Sequence, residues 1–121
     1  MTLKKILVVD DSPTERFFLQ ELLSKAGYGV ITADNGEDAV IKARSERPDL
    51  ILMDVVMPGL NGFQATRQIS RAQETAHIPV IMCTSKGQET DKIWGERQGA
   101  RDYLVKPIDA SDLLRKIAAL A

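Results

Sequence analysis

Four apolar runs in this chain each end in residues able to do chemistry. Ile6-Leu7-Val8-Val9 leads into Asp10-Asp11, and Leu50-Ile51-Leu52-Met53 leads into Asp54. A run that begins at Pro79-Val80-Ile81-Met82 reaches Thr84-Ser85, and Tyr103-Leu104-Val105 reaches Lys106-Pro107. Carboxylates brought close together repel one another and stay ionised only beside a cation. An all-oxygen donor set favours Mg²⁺, which takes one or two carboxylates and keeps positions for water and phosphate oxygens. With an ammonium and a hydroxyl added, the set suits phosphoryl transfer: a carboxylate attacks phosphorus while metal, lysine and hydroxyl balance charge on the equatorial oxygens. Asp54 is the best placed nucleophile because it stands alone after a wholly apolar run, whereas Asp10 and Asp11 form a paired corner for the metal. Thr84 and Ser85 can each supply the hydroxyl.

Such residues meet only if the fold brings them together. Runs of four to six unalternating apolar residues, with Gly29-Val30-Ile31-Thr32 as a fifth, read as strands covered on both faces, as in a parallel sheet. Helical punctuation fills the gaps. Ser12-Pro13-Thr14-Glu15 offers an N-cap, a proline at the first helical position and a glutamate to close a capping box. Phe18, Leu19, Leu22, Leu23 and Ala26 follow on one face, and Gly27 is a stop signal. Asn35 caps a second helix carrying Ala39, Val40 and Ala43, and Asn61 caps a third carrying Phe63, Thr66 and Ile69. A fourth is expected from about Gln88 to Gln98. The last, from about Ser111, carries Leu113, Leu114, Ile117, Ala118 and Ala121. Five β-α units in strict alternation predict an α/β doubly wound parallel sheet with right-handed crossovers. Ligands of such sheets bind outside the carboxyl ends of the strands, so the four run ends are expected on one rim.

Composition narrows the function classes. At 121 residues the chain fits one domain, 1–121, and 44% hydrophobic with 27% charged residues describes an ordinary globule. Lys+Arg 16 against Asp+Glu 17 gives a net charge of −1, which leaves no electrostatic footprint for nucleic acid. The single Cys83 excludes an internal disulfide or a cysteine zinc cage, and the single His77 excludes a histidine metal site. The first apolar run is too short for a signal sequence or a membrane span, so a cytoplasmic protein with no membrane insertion is expected.

Asp10-Asp11-Ser12, Asp54 with Met57-Pro58-Gly59 and Gly62, then Thr84, and finally Lys106-Pro107 together resemble a response-regulator receiver domain, over essentially the full chain. The resemblance implies a flavodoxin/CheY-like arrangement with strand order 2-1-3-4-5. It also implies a phosphoryl acceptor at Asp54, Mg²⁺ held by Asp10, Asp11, Asp54 and the backbone carbonyl of Val56, and phosphoryl contacts from Lys106 and Thr84. Tyr103 matches the family's switch aromatic, and a cis Lys106-Pro107 bond is implied. Val56 and Lys86 stand at the two positions that tune phosphoryl lifetime. The partners implied are a CheA-like histidine kinase and an output protein that reads the face of the fourth helix, fifth strand and fifth helix. Val55 to Arg67, and Gln88 through Tyr103, further resemble PilH-like single-domain receivers of type IV pilus twitching motility. A receiver without an output domain is a signalling switch rather than a turnover enzyme. It acts on a motor or pilus component directly, or serves as a phosphate sink for a shared kinase.

Blander roles compete for the same residues. Asp10-Asp11 can complement a helix dipole, and Asp54 can be a turn residue. Cys83 reads as a small buried hydrophobe, His77 as a solvent-facing loop residue, and Trp94 as either a core residue or a partner anchor. A haloacid-dehalogenase-type hydrolase uses similar groups, but it places its nucleophile in an Asp-x-Asp pattern after the first strand, and here Asp10 and Asp11 are adjacent.

Overall fold

Each apolar run becomes a strand in the computed structural model, which describes residues 3–85 and 89–120. The elements alternate as β1 (Lys5–Val9), α1 (Pro13–Lys25), β2 (Gly29–Ala33), α2 (Gly36–Glu46), β3 (Leu50–Asp54), α3 (Gly62–Arg71), β4 (Val80–Thr84), α4 (Glu89–Arg97), β5 (Asp102–Val105) and α5 (Ala110–Leu120). All strand pairs are parallel, in the order β2-β1-β3-β4-β5. Among the described residues, no helix is long and apolar enough to cross a membrane.

Side chains alternate across the pleat, so each strand feeds two cores. Leu7, Val9, Ile51, Met53, Val80 and Met82 pack with Ala39 and Ala43 of α2 and with Ala65 and Ile69 of α3. Ile6, Val8, Leu50, Leu52, Ile81 and Cys83 pack with Leu19 and Leu23 of α1 and with Leu113 and Ile117 of α5. β3 and β4 are buried from end to end, which explains their lack of polar alternation. A fully buried Leu, Ile or Val contributes roughly 1.5–3 kcal/mol each, so the central strands form the rigid platform on which the rim stands.

Helix termini follow the local chemistry, with two departures. The Ser12 hydroxyl accepts from the Glu15 amide at 3.3 Å, but the reciprocal half of the expected capping box is not formed. The Ser12 amide is already donated to Asp10 Oδ1 at 2.9 Å, so a strand-end carboxylate has taken the place of Glu15. The complete box forms at Asn61 and Gln64 instead. On α1, Leu19 and Leu23 are buried while Phe18 and Ala26 are exposed, so the buried stripe is narrower than the apolar pattern predicts. Gly27, at φ 99°, completes a Schellman motif in which the Gly27 amide donates to Ser24 O and the Tyr28 amide to Leu23 O. The fourth and fifth helices lie within a residue of expectation, and Gln88 and Ala121, named in those expectations, fall outside the described residues.

One glycine sets how closely α3 approaches β3. A Cβ on Gly62 would lie 2.1 Å from the carbonyl oxygen of Asp54 and 2.8 Å from Val55 Cα, and the Gly62 amide donates to Val55 O at 2.9 Å. Backbone cannot yield as a flexible side chain does, so a methyl group here must push the helix start off the strand end. Gly62→Ala is expected to destabilise the fold by about 1–3 kcal/mol, read as a lowered urea midpoint at unchanged m-value.

Candidate functional site

Register explains why four distant stretches meet. Val9 pairs with Met53, Asp54 with Cys83, and Thr84 with Val105, so Asp10, Asp54, Thr84 and Lys106 fall at or just past neighbouring strand ends. Carboxylate oxygens of Asp10, Asp11 and Asp54 lie within 4.8 Å of one another, with Asp10 and Asp54 buried and Asp11 exposed. The Lys106 ammonium donates to Asp10 Oδ2 at 2.8 Å and to Asp54 Oδ1 at 3.3 Å.

Asp10 is the most constrained member. One of its carboxylate oxygens accepts from the Ser12 amide and the other from Lys106, while its backbone carbonyl accepts from the Arg16 guanidinium at 2.8 Å. Arg16 escaped the sequence reading. Its signal was positional, because a helix that starts at Pro13 turns residue 16 back toward the end of β1. Gly62 was read as a motif residue, and the structure adds the steric reason given above. Lys106 is set in place by its own amide, which donates to Thr84 O at 2.7 Å, and the Lys106–Pro107 bond is cis.

Of the two candidate hydroxyl residues, Thr84 is buried at the end of β4 and Ser85 is exposed. Tyr103 is half-buried on β5 and packs against the core shared by α2 and α3. Val56 lies two residues beyond Asp54 and is 57% exposed. Lys86 falls outside the described residues. His77 is exposed in the loop before β4, as its sequence context suggested. Trp94 satisfies both readings in part: it is half-exposed on α4, and its ring meets Phe63 edge-on at 6.4 Å and 75°.

Charge decides what the rim can hold. Burial, with the neighbouring Asp10 charge, pushes the Asp54 carboxyl up to about 6 against the opposing pull of Lys106. Burial works against the Lys106 charge, yet its hydrogen bond to Asp10 and the charges of Asp54 and Asp10 outweigh that and hold the ammonium above its usual range. Burial pushes the Cys83 thiol up to about 12, leaving an unreactive small hydrophobe. Three carboxylates against one ammonium leave two negative charges at full ionisation, the amount a divalent cation cancels. The donor set is oxygen throughout, and it therefore fits a hard cation such as Mg²⁺.

Comparisons with known proteins agree with this geometry. The response regulator receiver domain family matches residues 6–118. The chain is 60% identical over 116 residues to protein PilH of Pseudomonas aeruginosa, covering 96% of each chain. Transcriptional regulators matched at 42% and 38% identity are spanned over about half their length, 48% and 51%. Among solved structures, the chemotaxis protein CheY4 of Vibrio cholerae superposes with a TM-score of 0.93 at 33% identity, covering 99% of this chain and 100% of that one. The receiver domain of sensor histidine kinase PA1611 from P. aeruginosa superposes at 0.90 with 32% identity, covering 98% of each chain, and carries a magnesium ion in its active site cleft.

The raised Asp54 carboxyl makes a stability prediction. The unfolded chain releases this proton near the usual carboxylate value, whereas the folded chain keeps it to about pH 6. The folded state therefore binds more protons across that window, and stability falls as pH rises through it. In the absence of metal, Asp54→Asn is expected to stabilise the protein at pH 7.5 by on the order of 2–3 kcal/mol. The difference from wild type should shrink toward zero near pH 4, as followed by urea unfolding at the two pH values.

Proposed function

Because the chain belongs to the response regulator receiver domain family, we propose that it accepts a phosphoryl group from a CheA-like histidine kinase on Asp54 and passes the signal to a partner. The system is a chemotaxis-like two-component pathway of type IV pilus twitching motility, and the protein works in the cytoplasm as a single receiver domain. The likeness to PilH over 96% of both chains supports this pathway. The observation that carries the chemistry is the Lys106 ammonium placed between Asp10 and Asp54, with three carboxylates within 4.8 Å.

Asp54 lies on the rim with its side chain 8% exposed and otherwise walled by protein. Its oxygen attacks the phosphorus of a phosphohistidine; an O–P bond forms as the N–P bond breaks, and the departing imidazole keeps the electron pair and takes a proton from water. Asp10, Asp11, Asp54 and the Val56 carbonyl would hold a divalent ion, which would supply the positive charge that lets two anionic groups approach. Lys106 transfers its hydrogen bonds to the phosphoryl oxygens, and the Thr84 hydroxyl donates to another. Water later attacks the phosphorus, giving inorganic phosphate and restoring Asp54.

Switching then follows from linkage. Conformers that carry Thr84 and Lys106 toward the phosphoryl oxygens gain population, and the Tyr103 ring follows the threonine. The readout face is α4, β5 and α5, where Ile93, Trp94 and Val105 are exposed apolar residues. A complete reversal from 1:99 to 99:1 needs about 5.5 kcal/mol, so partner binding finishes what phosphorylation begins. A protein of this kind acts either on a pilus component or as a phosphate sink, and phosphotransfer rates from one kinase to this chain and to a competing receiver separate the two.

Incubation with acetyl phosphate and Mg²⁺ is expected to add one phosphoryl mass to the intact protein. Asp54→Ala and omission of Mg²⁺ should each abolish the adduct. Steady release of phosphate from small phosphomonoesters would instead identify a hydrolase. The phosphorylated lifetime has its own test. Val56 presents no polar group to orient attacking water, and Lys86 stands at the second tuning position, so slow decay is expected. Val56→Asn should speed loss of the phosphoryl group severalfold in a radiolabel chase, and an unchanged decay rate would rule this explanation out.

A further inference from the structure

In a parallel sheet the strand starts form a second rim, opposite the one that carries Asp54. The segments entering β1, β3, β4 and β5 enclose a cleft of about 220 Å³ there. Its floor is apolar, built from Leu3, Pro48, Pro79 and Leu120, with Leu3 and Pro48 buried. Its edge is cationic: the exposed Arg47 precedes β3, the exposed Arg101 precedes β5, and His77 adds an imidazole between them in sequence.

Among the described residues, neither guanidinium makes an ion pair or a side-chain hydrogen bond. Asp49, the one acid among the described residues that line the cleft, accepts from the Lys4 and Lys5 amides at 2.9 Å each through the same oxygen; these bonds hold its carboxyl below the usual range, so it keeps one negative charge there against the two guanidiniums. Glu46 faces Lys5 at 3.9 Å, and Glu74 pairs with Arg44 at 3.0 Å. An independent observation concerns the Arg47 backbone, which sits at φ 49° and ψ 59° at the end of α2. Glycine is the residue that takes this left-handed position without strain, and the proline that follows restricts it further. The strained residue thus also lines the cleft, a local conflict of the kind found where a side chain serves a site.

We propose that this cleft binds a small organic oxyanion, with a carboxylate or phosphate head on the two guanidiniums and a short apolar body on the proline and leucine floor. The planar fork of arginine matches both heads. The volume is below the roughly 300–1,000 Å³ of pockets for drug-sized ligands, which excludes a nucleotide and leaves room for a head group and a few carbons. An inorganic ion alone leaves the floor uncovered, and a neutral ligand leaves two guanidiniums with the Asp49 carboxylate as the one counter-charge among the described lining residues. The site is independent of the chemistry assigned to Asp54, so either assignment can fail without the other.

The test is an amide NMR titration of the full chain with phenylphosphonate, which cannot transfer its phosphorus, and separately with phenylacetate. The protein is passed over a chelating resin and titrated in metal-free buffer, which keeps the opposite rim free of metal without adding a competing carboxylate. Saturable shifts centred on Arg47, Asp49, Arg101 and Leu120 are expected with at least one probe, with inorganic phosphate and benzyl alcohol weaker. The stronger probe identifies the preferred head group. Arg47→Gln and Arg101→Gln should each weaken binding by about tenfold. Arg47→Gly separates a ligand role from a structural one: by relieving the left-handed strain it should raise the thermal midpoint while it loses binding. Shifts centred on Asp10 and Lys106, shifts that fail to saturate, or unchanged affinity in both glutamine variants would each overturn the proposal.

Discussion

The ammonium of Lys106 lies within hydrogen-bond reach of two buried carboxylates, and the arrangement of the rim is organised around that contact. Without it, Asp10 and Asp54 would face each other as like charges in a poorly solvated pocket, an arrangement a protein relieves by taking up a proton or a cation. One lysine is not enough to neutralise the cluster. The Asp54 carboxyl is still pushed up to about 6, mainly by burial and by Asp10. The residual negative charge is what makes the pocket receptive to a divalent ion, and the proposed meeting of an anionic carboxylate with an anionic phosphoryl group rests on that receptivity.

That contact depends on a register no local feature contains. Parallel pairing aligns Val9 with Met53, Met53 with Met82 and Thr84 with Val105, so all the strands leave the sheet at nearly the same level. A slip of one residue would turn every core side chain toward the opposite layer of helices. The two apolar cores therefore hold the rim in place, and their packing fixes the distance between Lys106 and its carboxylates as firmly as the charges do. Gly62 contributes by letting the start of α3 rest against the end of β3.

The opposite rim shows the same geometry with the opposite charge. Strand starts gather Arg47 and Arg101 over an apolar floor, whereas strand ends gather Asp10, Asp11 and Asp54 around a lysine. The chain's near-neutral total of −1 conceals this polarity, because the acidic and basic clusters sit at the two ends of one sheet. Net charge offered no electrostatic footprint for nucleic acid, and it carried no information about either cluster.

Much of this was legible in the residues alone. Unbroken apolar runs marked strands buried on both faces, Asn35 and Asn61 marked helix starts, and Gly27 marked a helix end, because each signal is written in adjacent residues. The rim was legible as well, since a parallel sheet places all strand ends on one side and Asp10, Asp54, Thr84 and Lys106 each end an apolar run. Other features needed the folded chain. Glu15 lost its place in a capping box to Asp10, Phe18 was left exposed on an apparently apolar helix face, and Arg16 reached the Asp10 carbonyl. These outcomes depend on which groups the folded chain brings within hydrogen-bond distance and which it leaves in solvent. The raised Asp54 carboxyl belongs with them, because burial and neighbouring charge are properties of the assembled pocket rather than of any residue type.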